Sequence, residues 1–283
     1  MIELGANRYG KSAIRLVKVV RGPDSHRVRD LTVDISLQGS FEAAHVQGDN
    51  SLVVATDTMK NTTYALAKDH LNGPTERFAR ALAEHFLEFE QVESATVATR
   101  EHSWHPINLP SGVAPDAFLR DTSYTRLALA DARRQETTIQ AGIEDLTLLK
   151  TTGSAFVGFP RDRYTTLPEA TDRLMATKVS AQWRYGSGRS EIHYDALFEA
   201  ARRSLLEIFA EHESASVQAS AWIIGRAILE RHAEIDEITM TLPNLHHWPV
   251  DLSPFGLVND AEIFVATTEP HGLIEATVRR SSG

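Results

Sequence analysis

The most informative stretch of the sequence is Asn50-Ser-Leu-Val-Val-Ala-Thr-Asp-Thr-Met-Lys-Asn-Thr62, in which an apolar run is followed by a cluster of polar side chains. An apolar run that stops at such a cluster is typical of a buried strand that delivers polar groups to a site at its end. We therefore predict a strand at residues 52–55, with Thr56 and Asp57 at its end. The alternative is a strand that only leads into a helix, with Asp57 or Thr58 as the N-cap.

The composition is that of a soluble globular protein large enough for two domains. The chain has 283 residues, of which 42% are hydrophobic and 24% are charged. Its net charge of −9 argues against a nucleic-acid partner and against an anionic membrane surface. The sequence contains no cysteine, which excludes disulfides, iron–sulfur clusters, thiolate zinc sites and cysteine nucleophiles.

Targeting and membrane signals are not evident in the sequence. The first ten residues contain no apolar core of signal-peptide length, and no segment is apolar over the length of a membrane span. The chain does not end in the peroxisomal address Ser-Lys-Leu. We therefore expect a cytoplasmic protein with no membrane partner.

The common cofactor motifs are also missing from the sequence. It has no Gly-rich phosphate loop, no G-x-G-x-x-G, no H-E-x-x-H and no G-x-S-x-G. Twelve histidines invite a metal interpretation, because His102 lies near His105 and His246 is next to His247. Adjacent strand residues point to opposite faces, however, and the third and fourth ligands cannot be identified. We predict neither a metal nor a cofactor.

The periodicity of the chain predicts two halves, each built from strands, then helices, then strands. Antiparallel strands with helices on one face make an α+β fold, with domains at residues 1–138 and 139–283. The edges of such sheets must be covered, and oligomerisation is one way to cover them. Strands are predicted at 13–21, 29–39, 92–102, 143–150, 179–185, 235–241 and 262–268, and helices at 74–89, 194–212 and 216–233.

A weak internal echo agrees with a duplication. Thr96-Val-Ala-Thr precedes Trp104-His-Pro106, and Thr239-Met-Thr precedes His247-Trp-Pro249 at the same distance. Two copies suggest a repeat without establishing one.

Three longer segments carry a resemblance to a known family. They are Tyr9-Gly-Lys-Ser-Ala-Ile-Arg15, Val54-Ala-Thr-Asp-Thr-Met-Lys-Asn-Thr62 and residues 146–173, which begin Leu-Thr-Leu-Leu-Lys-Thr-Thr-Gly-Ser-Ala-Phe. Shorter matches follow at Ser214-Ala-Ser-Val-Gln218 and Leu242-Pro-Asn-Leu-His246. Together they run through nearly the whole chain in order. On these segments the chain resembles the urate oxidases (uricases), cofactor-free enzymes of purine breakdown.

The resemblance implies an architecture and a reaction. Members of this family carry two tandem tunnelling-fold (T-fold) domains, and four subunits build a tunnel-shaped homotetramer. Active sites lie at subunit interfaces, where the neighbouring subunit lends the residues of the second segment. The implied substrates are urate and dioxygen, and the implied products are 5-hydroxyisourate and hydrogen peroxide. The substrate itself supplies the electrons, so the reaction needs no cofactor.

The same resemblance implies a set of substrate-binding residues. Phe156 matches the ring on which urate stacks, and Arg173 matches the cation that holds it through two hydrogen bonds. Gln218 can pair with a urate edge that carries both N–H and C=O groups. Val217 and Leu167 would supply apolar walls. Without the motif, Phe156 would be interpreted as core packing, Arg173 as a solvated helix-face arginine and Gln218 as an ordinary polar helix residue.

The catalytic set implied by the resemblance is Lys11, Thr56 and His246. A threonine hydroxyl is a weak base and needs a partner for its proton, which a neutral lysine can take. His246 would carry protons between Lys11 and water. Asn244 and Thr56 would hold dioxygen and later the water nucleophile, while the backbone N–H of Asp57 would bind the purine. Taken alone, Lys11 would be interpreted as a solvent-exposed lysine.

Two other functions are considered. One is a different purine- or pterin-binding T-fold enzyme, such as a cyclohydrolase, which would require metal ligands or a cysteine. The other is a non-catalytic urate-binding protein, which should lack Lys11, Thr56 or His246. All three residues are present, which favours the oxidase.

Overall fold

The computed structural model describes residues 2–186 and 191–281. The chain divides into two compact units, one formed by Met1–Gly142 with Arg184–Asp195 and the other by Ile143–Trp183 with Ala196–Gly283. The elements, in chain order, are β1 Tyr9–Arg21, β2 His26–Gly39, α1 Glu42–Val46, α2 Thr56–His70, α3 Thr75–Phe86, β3 Val92–His102, β4 Trp104–Leu109, β5 Gly112–Arg120, β6 Thr125–Arg133, β7 Glu136–Lys150, β8 Met175–Tyr185, α4 Tyr194–Glu211, α5 Val217–Arg231, β9 Ile235–Leu245, β10 His247–Pro249, β11 Phe264–Ala266 and β12 Gly272–Arg279.

The first unit is an antiparallel sheet with helices packed on its apolar face. The strand order is β1-β2-β3-β6-β7, and the first three neighbouring pairs are antiparallel. From Leu31 onward strand β2 alternates between buried and half-buried residues, so that Leu31, Val33 and Ile35 are buried. Helix α2 packs on β1, and α3 packs on β3 and β6 through Phe78 and Leu82, which are fully buried.

The second unit repeats this construction with the order β7-β8-β9-β12. Strands β9 and β12 are antiparallel, and α5 packs on both of them. The helix approaches closely because Gly225 has no side chain: a Cβ there would lie 2.6 Å from Val278 Cγ2. Trp183 and Phe198 are buried in the core of this unit, with ring centroids 5.7 Å apart. The α+β class predicted from the sequence is confirmed.

Most predicted elements are present, but several were missed or misplaced. The short β4–β5 hairpin, β6 and β12 were not predicted, and β11 is three residues long rather than the predicted 262–268. Trp104 and His247 each begin a short strand that pairs antiparallel with a later one.

The predicted strand at 52–55 is wrong. These residues form a turn and an irregular segment, and helix α2 begins directly afterwards at Thr56. Neither Asp57 nor Thr58 is the N-cap, because that position belongs to Ala55. Burial explains the apolar run without a strand: Val54 is buried, yet its backbone groups bond to the Tyr9 hydroxyl and not to a neighbouring strand.

None of the helices in the described part of the chain has the length and apolar character needed to cross a membrane.

Candidate active site

A cavity of about 490 Å³ opens in the second unit. Most of its lining comes from three pieces of chain: the irregular segment between β7 and β8, the first turn of α5, and the end of β9 with the residues directly after it. Seven of the residues predicted for the site line it, namely Phe156, Leu167, Arg173, Val217, Gln218, Asn244 and His246. The structure therefore brings together side chains that lie up to 90 positions apart in sequence.

The Phe156 ring is held from two sides. Its backbone forms a two-hydrogen-bond bridge with Ala170, with N···O distances of 2.7 and 3.1 Å. The ring stacks on Phe159, with centroids 4.9 Å apart and an interplanar angle of 13°. Phe156 is only half-buried, so the core-packing alternative does not describe it. A half-buried ring at a cavity wall offers a flat apolar surface to a ligand.

Arg173 is one of the residues that line this cavity. Its Nε is buried and has no hydrogen-bond partner among the described residues. The neighbouring carboxylate of Asp172 is engaged by the Thr152 hydroxyl at 2.5 Å and the Ser154 N–H at 3.3 Å. Burial lowers the pKa of the Arg173 guanidinium. Arg173 precedes β8 in an irregular segment, so the helix-face alternative is wrong. A buried, unpaired guanidinium N–H is costly unless a ligand accepts its hydrogen bond.

The first turn of α5 forms another part of the wall. Ser216 caps this helix, accepting a hydrogen bond from the Ala219 N–H at 3.1 Å. The cap places Val217 and Gln218 as the first two helical residues, of which Val217 is buried and Gln218 is exposed. Helix N-termini favour negative charge, so the amide of Gln218 lies where an anion is stabilised.

His246 and Asn244 lie where β9 ends. The strand runs to Leu245, four residues beyond the predicted end at 241, so Asn244 lies inside it and His246 just outside it. Its carbonyl accepts hydrogen bonds from both the N–H and the hydroxyl of Thr267, at 2.9 and 3.1 Å. The imidazole stacks on Trp248, with centroids 5.3 Å apart.

Burial, and then the positive charges of Arg173 and His271, lower the pKa of His246. The neutral imidazole is therefore favoured near pH 7, and a neutral imidazole can accept a proton.

Lys11, Thr56 and Asp57 form a second group, which lies in the first unit. Lys11 is half-buried in β1, Thr56 is the first residue of α2, and Asp57 follows it. The pKa of the Asp57 carboxyl is lowered mainly by Lys60, and the charge of Lys11 adds to this effect. As the second residue of its helix, Asp57 has a backbone N–H with no acceptor inside the helix.

The backbone of β1 is irregular beside Lys11. The pairing with β2 shifts register between Lys11 and Ile14, and Ala13 adopts a left-handed conformation with φ of 57°. The Ala13 N–H donates to the Asp34 carboxylate at 2.7 Å, and Arg100 donates to the other oxygen of that carboxylate at 2.8 Å. Bulges of this kind redirect side chains, often beside active sites.

Sequence reasoning missed several residues of the cavity. Trp248 was noticed only in the internal echo, and its stack on His246 was not foreseen. Phe264 and Ile274 also line the cavity, from segments that carry no recognisable motif. Over residues 2–186 and 191–281, no three His, Cys, Asp or Glu side chains group closely enough to hold a metal ion.

The fold and the cavity define an α+β protein with a pocket suited to a planar anion. Comparison with known proteins identifies the family of the chain. The sequence model of one family, Uricase, matches residues 7–131 and 139–275. The chain belongs to the Uricase family.

Individual relatives agree over the whole length. The chain is 49% identical to the uricase of Arthrobacter globiformis over 280 residues, covering 99% of this chain and 90% of the relative. It is 39% identical to the uricase of Emericella nidulans over 297 residues, covering 100% and 99% of the two chains. The crystal structure of the Arthrobacter globiformis uricase superposes with a TM-score of 0.94 at 48% identity, covering 100% of this chain and 96% of that one.

Proposed function

We propose that this protein is a urate oxidase, which acts in urate catabolism. It oxidises urate with dioxygen and water to 5-hydroxyisourate and hydrogen peroxide. The observation that carries the proposal is the Arg173 guanidinium beside the Phe156 ring, whose buried Nε has no hydrogen-bond partner in the described part of the chain. Urate is planar and anionic at neutral pH, so it can stack on the ring and accept hydrogen bonds from the guanidinium. The family membership agrees with this chemistry.

Substrate binding follows from the cavity walls. Gln218 can donate to a urate carbonyl and accept from a ring N–H, while Val217 and Leu167 enclose the ring. A pocket of this kind excludes water from the reacting face and orients the purine for reaction.

The chemistry begins with removal of a proton from bound urate. The Thr56 hydroxyl accepts this proton as it passes its own to neutral Lys11, and His246 exchanges the proton with water. The resulting dianion transfers electrons to dioxygen held by Asn244 and Thr56, and a hydroperoxide forms at C5. Water displaces the peroxide, so one urate, one dioxygen and one water give 5-hydroxyisourate and hydrogen peroxide. The reaction uses no cofactor, because urate is the electron donor.

The active site is shared between subunits of a homotetramer. The cavity takes its lining from the second unit, whereas Lys11, Thr56 and Asp57 belong to the first. A neighbouring copy would contribute these three residues to the mouth of the cavity, with the Asp57 N–H bound to the purine. Such sharing makes oligomerisation a condition of activity.

Each subunit has two tandem T-fold domains, residues 1–138 and 139–283, and four subunits enclose a tunnel. Both units contain an antiparallel sheet with helices packed on it. In both units a short strand follows the third long strand. In the first, β4 begins at the Trp-His-Pro sequence after β3; in the second, β10 begins at the His-Trp-Pro sequence after β9. We expect a cytoplasmic protein, and the net charge of −9 argues against a membrane or nucleic-acid partner.

The reaction is tested with metal-free protein, urate and oxygen, by following urate absorbance and peroxide together. We expect equal amounts of urate lost and peroxide formed. Absence of turnover by the assembled protein would refute the oxidase and leave a non-catalytic urate-binding protein. Conversion of a pterin or of another purine without peroxide would indicate a different T-fold enzyme.

The shared site is tested by mixing two impaired variants, Lys11→Ala and Arg173→Ala. A mixed pair of subunits contains one site with both residues intact, so random mixing should restore about a quarter of the sites. Subunits unfolded and refolded separately before mixing serve as the control. No recovery in confirmed mixed oligomers would place Lys11 and Arg173 of one chain in the same site.

A further inference from the structure

The Tyr9 hydroxyl clamps the backbone immediately before Thr56. It donates a hydrogen bond to the Val54 carbonyl at 3.1 Å and accepts one from the Val54 N–H at 2.8 Å. Val54 is buried and lies outside any strand or helix, two residues before the start of α2. The Tyr9 hydroxyl thus satisfies the two backbone groups of Val54, which in a sheet would bond to the backbone of a neighbouring strand.

The Tyr9 ring is itself rigidly held. It packs edge-on against Phe41, with centroids 4.8 Å apart, and Phe41 is buried. The next residue, Gly10, lies so close to β2 that a Cβ there would be 1.8 Å from the Ile35 carbonyl oxygen. Strand β1 therefore has little freedom to shift at this point.

Tyr9 also lies two residues before Lys11 on the same strand. One side chain on β1 thus connects the segment that carries Lys11 to the segment that leads into Thr56. Between β1 and residues 50–55, the two bonds of Tyr9 are the only side-chain hydrogen bonds found among the described residues. Lys18 on β1 also donates to α2, but to the Ala67 carbonyl near the far end of that helix, at 2.9 Å.

We propose that Tyr9 is a positioning residue, whose hydroxyl sets the distance between the Lys11 amine and the Thr56 hydroxyl. The inference rests on the proposed function, because it assumes that these two groups exchange a proton. Tyr9 acts through the Val54 backbone and transfers no proton itself. Proton transfer is sensitive to small displacements, and a 1 Å misplacement can cost about 10²-fold in rate.

The test is Tyr9→Phe, which keeps the ring on Phe41 and removes only the hydroxyl. The segment retains other anchors, since Gln91 donates to the Leu52 carbonyl at 2.8 Å and Val53 donates to the Asn50 carbonyl at 3.0 Å. We expect kcat to fall by at least about 10-fold with little change in the KM for urate. The matched control is Tyr64→Phe, which removes an exposed hydroxyl from α2 itself and should leave kcat unchanged.

A double-mutant cycle distinguishes positioning from a general structural role. If Tyr9 acts through Thr56, then Tyr9→Phe added to Thr56→Ala should cause no further loss of kcat. The inference would be overturned if Tyr9→Phe lowered kcat by the same factor in the Thr56→Ala background as in the wild type. It would also be overturned if Tyr9→Phe kept the wild-type kcat while Lys11→Ala and Thr56→Ala were impaired. Should Tyr9→Phe fail to fold, Phe41→Leu, which loosens the ring but keeps the hydroxyl, is tested in the same cycle with the same criteria. Absence of urate turnover by the wild-type protein would instead refute the proposed function.

Discussion

The guanidinium carbon of Arg173 lies 5.3 Å from the centroid of the Phe156 ring. The charged group and the aromatic plane thus face the same cavity from adjacent positions, one suited to the edge of a flat anion and the other to its face. No described residue accepts a hydrogen bond from Arg173 Nε.

Arg173→Lys tests this arrangement. Lysine keeps the charge but cannot form two parallel hydrogen bonds to one planar edge. A lost hydrogen bond to a charged group costs about 1.5–3 kcal/mol, so the KM for urate should rise by about 10- to 100-fold. Arg161→Lys is the control, because Arg161 similarly lies 5.6 Å from the Phe159 ring but does not line the cavity. Equal KM changes in both variants would contradict the assignment.

Lys11→Met and Thr56→Ala should each lower kcat by about 10² or more, since general acid–base groups contribute typically this much. Their circular dichroism and assembly should match the wild type, because both side chains are only half-buried. Thr58→Ala, an exposed threonine in the same helical turn, should retain normal kcat. Steady-state kinetics with saturating urate measures the effect, and normal turnover in either of the first two variants would remove that residue from the mechanism.

The pH dependence of kcat should report on His246. Burial and the charges of Arg173 and His271 lower its pKa below the ordinary 6.5, and the neutral form is the one that accepts a proton. As the pH is lowered, kcat should therefore stay constant until the pH reaches the lowered pKa of His246, and should fall only at lower pH. His271→Ala removes one positive neighbour, so the pKa of His246 rises and the acid limb moves to higher pH. A limb that does not move, or moves to lower pH, would contradict this assignment.

Arg126→Met should destabilise the first unit strongly. Arg126 donates to both carboxylate oxygens of Glu76, at 2.9 and 3.0 Å, and Glu76 is fully buried. Burial already raises the pKa of the Glu76 carboxyl, and removing its partner leaves a buried charge uncompensated. Breaking such a pair costs about 3–5 kcal/mol.

The control for this experiment is Arg80→Met on α3. Its ion pair with Glu84 is about half exposed on both sides, so its loss should cost less than about 1 kcal/mol. Urea unfolding at one fixed protein concentration measures both variants. Adding Glu76→Gln to Arg126→Met should recover part of the loss, because the amide carries no charge. A small cost for Arg126→Met alone would show that the pair adds little to stability.

The local pattern of apolar and polar residues was sufficient to predict many of the strands and helices. Strands β1, β2 and β3 alternate between apolar and polar residues, and α3 places Phe78, Leu82 and Phe86 on one face, so both periods are visible in the sequence. The same reasoning failed at 52–55, where four apolar residues are too few to distinguish a strand from a buried turn.

The candidate site residues could also be predicted from the sequence, because they lie in motifs. Phe156, Arg173, Gln218 and His246 could be named because their neighbours match a family pattern, although nothing in that pattern gives a distance.

The sequence by itself thus determined the α+β class, the Uricase family and the chemical types of side chain available to bind an anionic purine. Only the tertiary structure decided which groups are buried without a partner, as at Arg173, and which backbone segments a distant side chain holds. Tyr9 and Val54 are 45 positions apart, and their two hydrogen bonds exist because β1 and the start of α2 pack together. Periodicity is a local property, whereas burial, pairing and pKa depend on neighbours that only folding brings into contact.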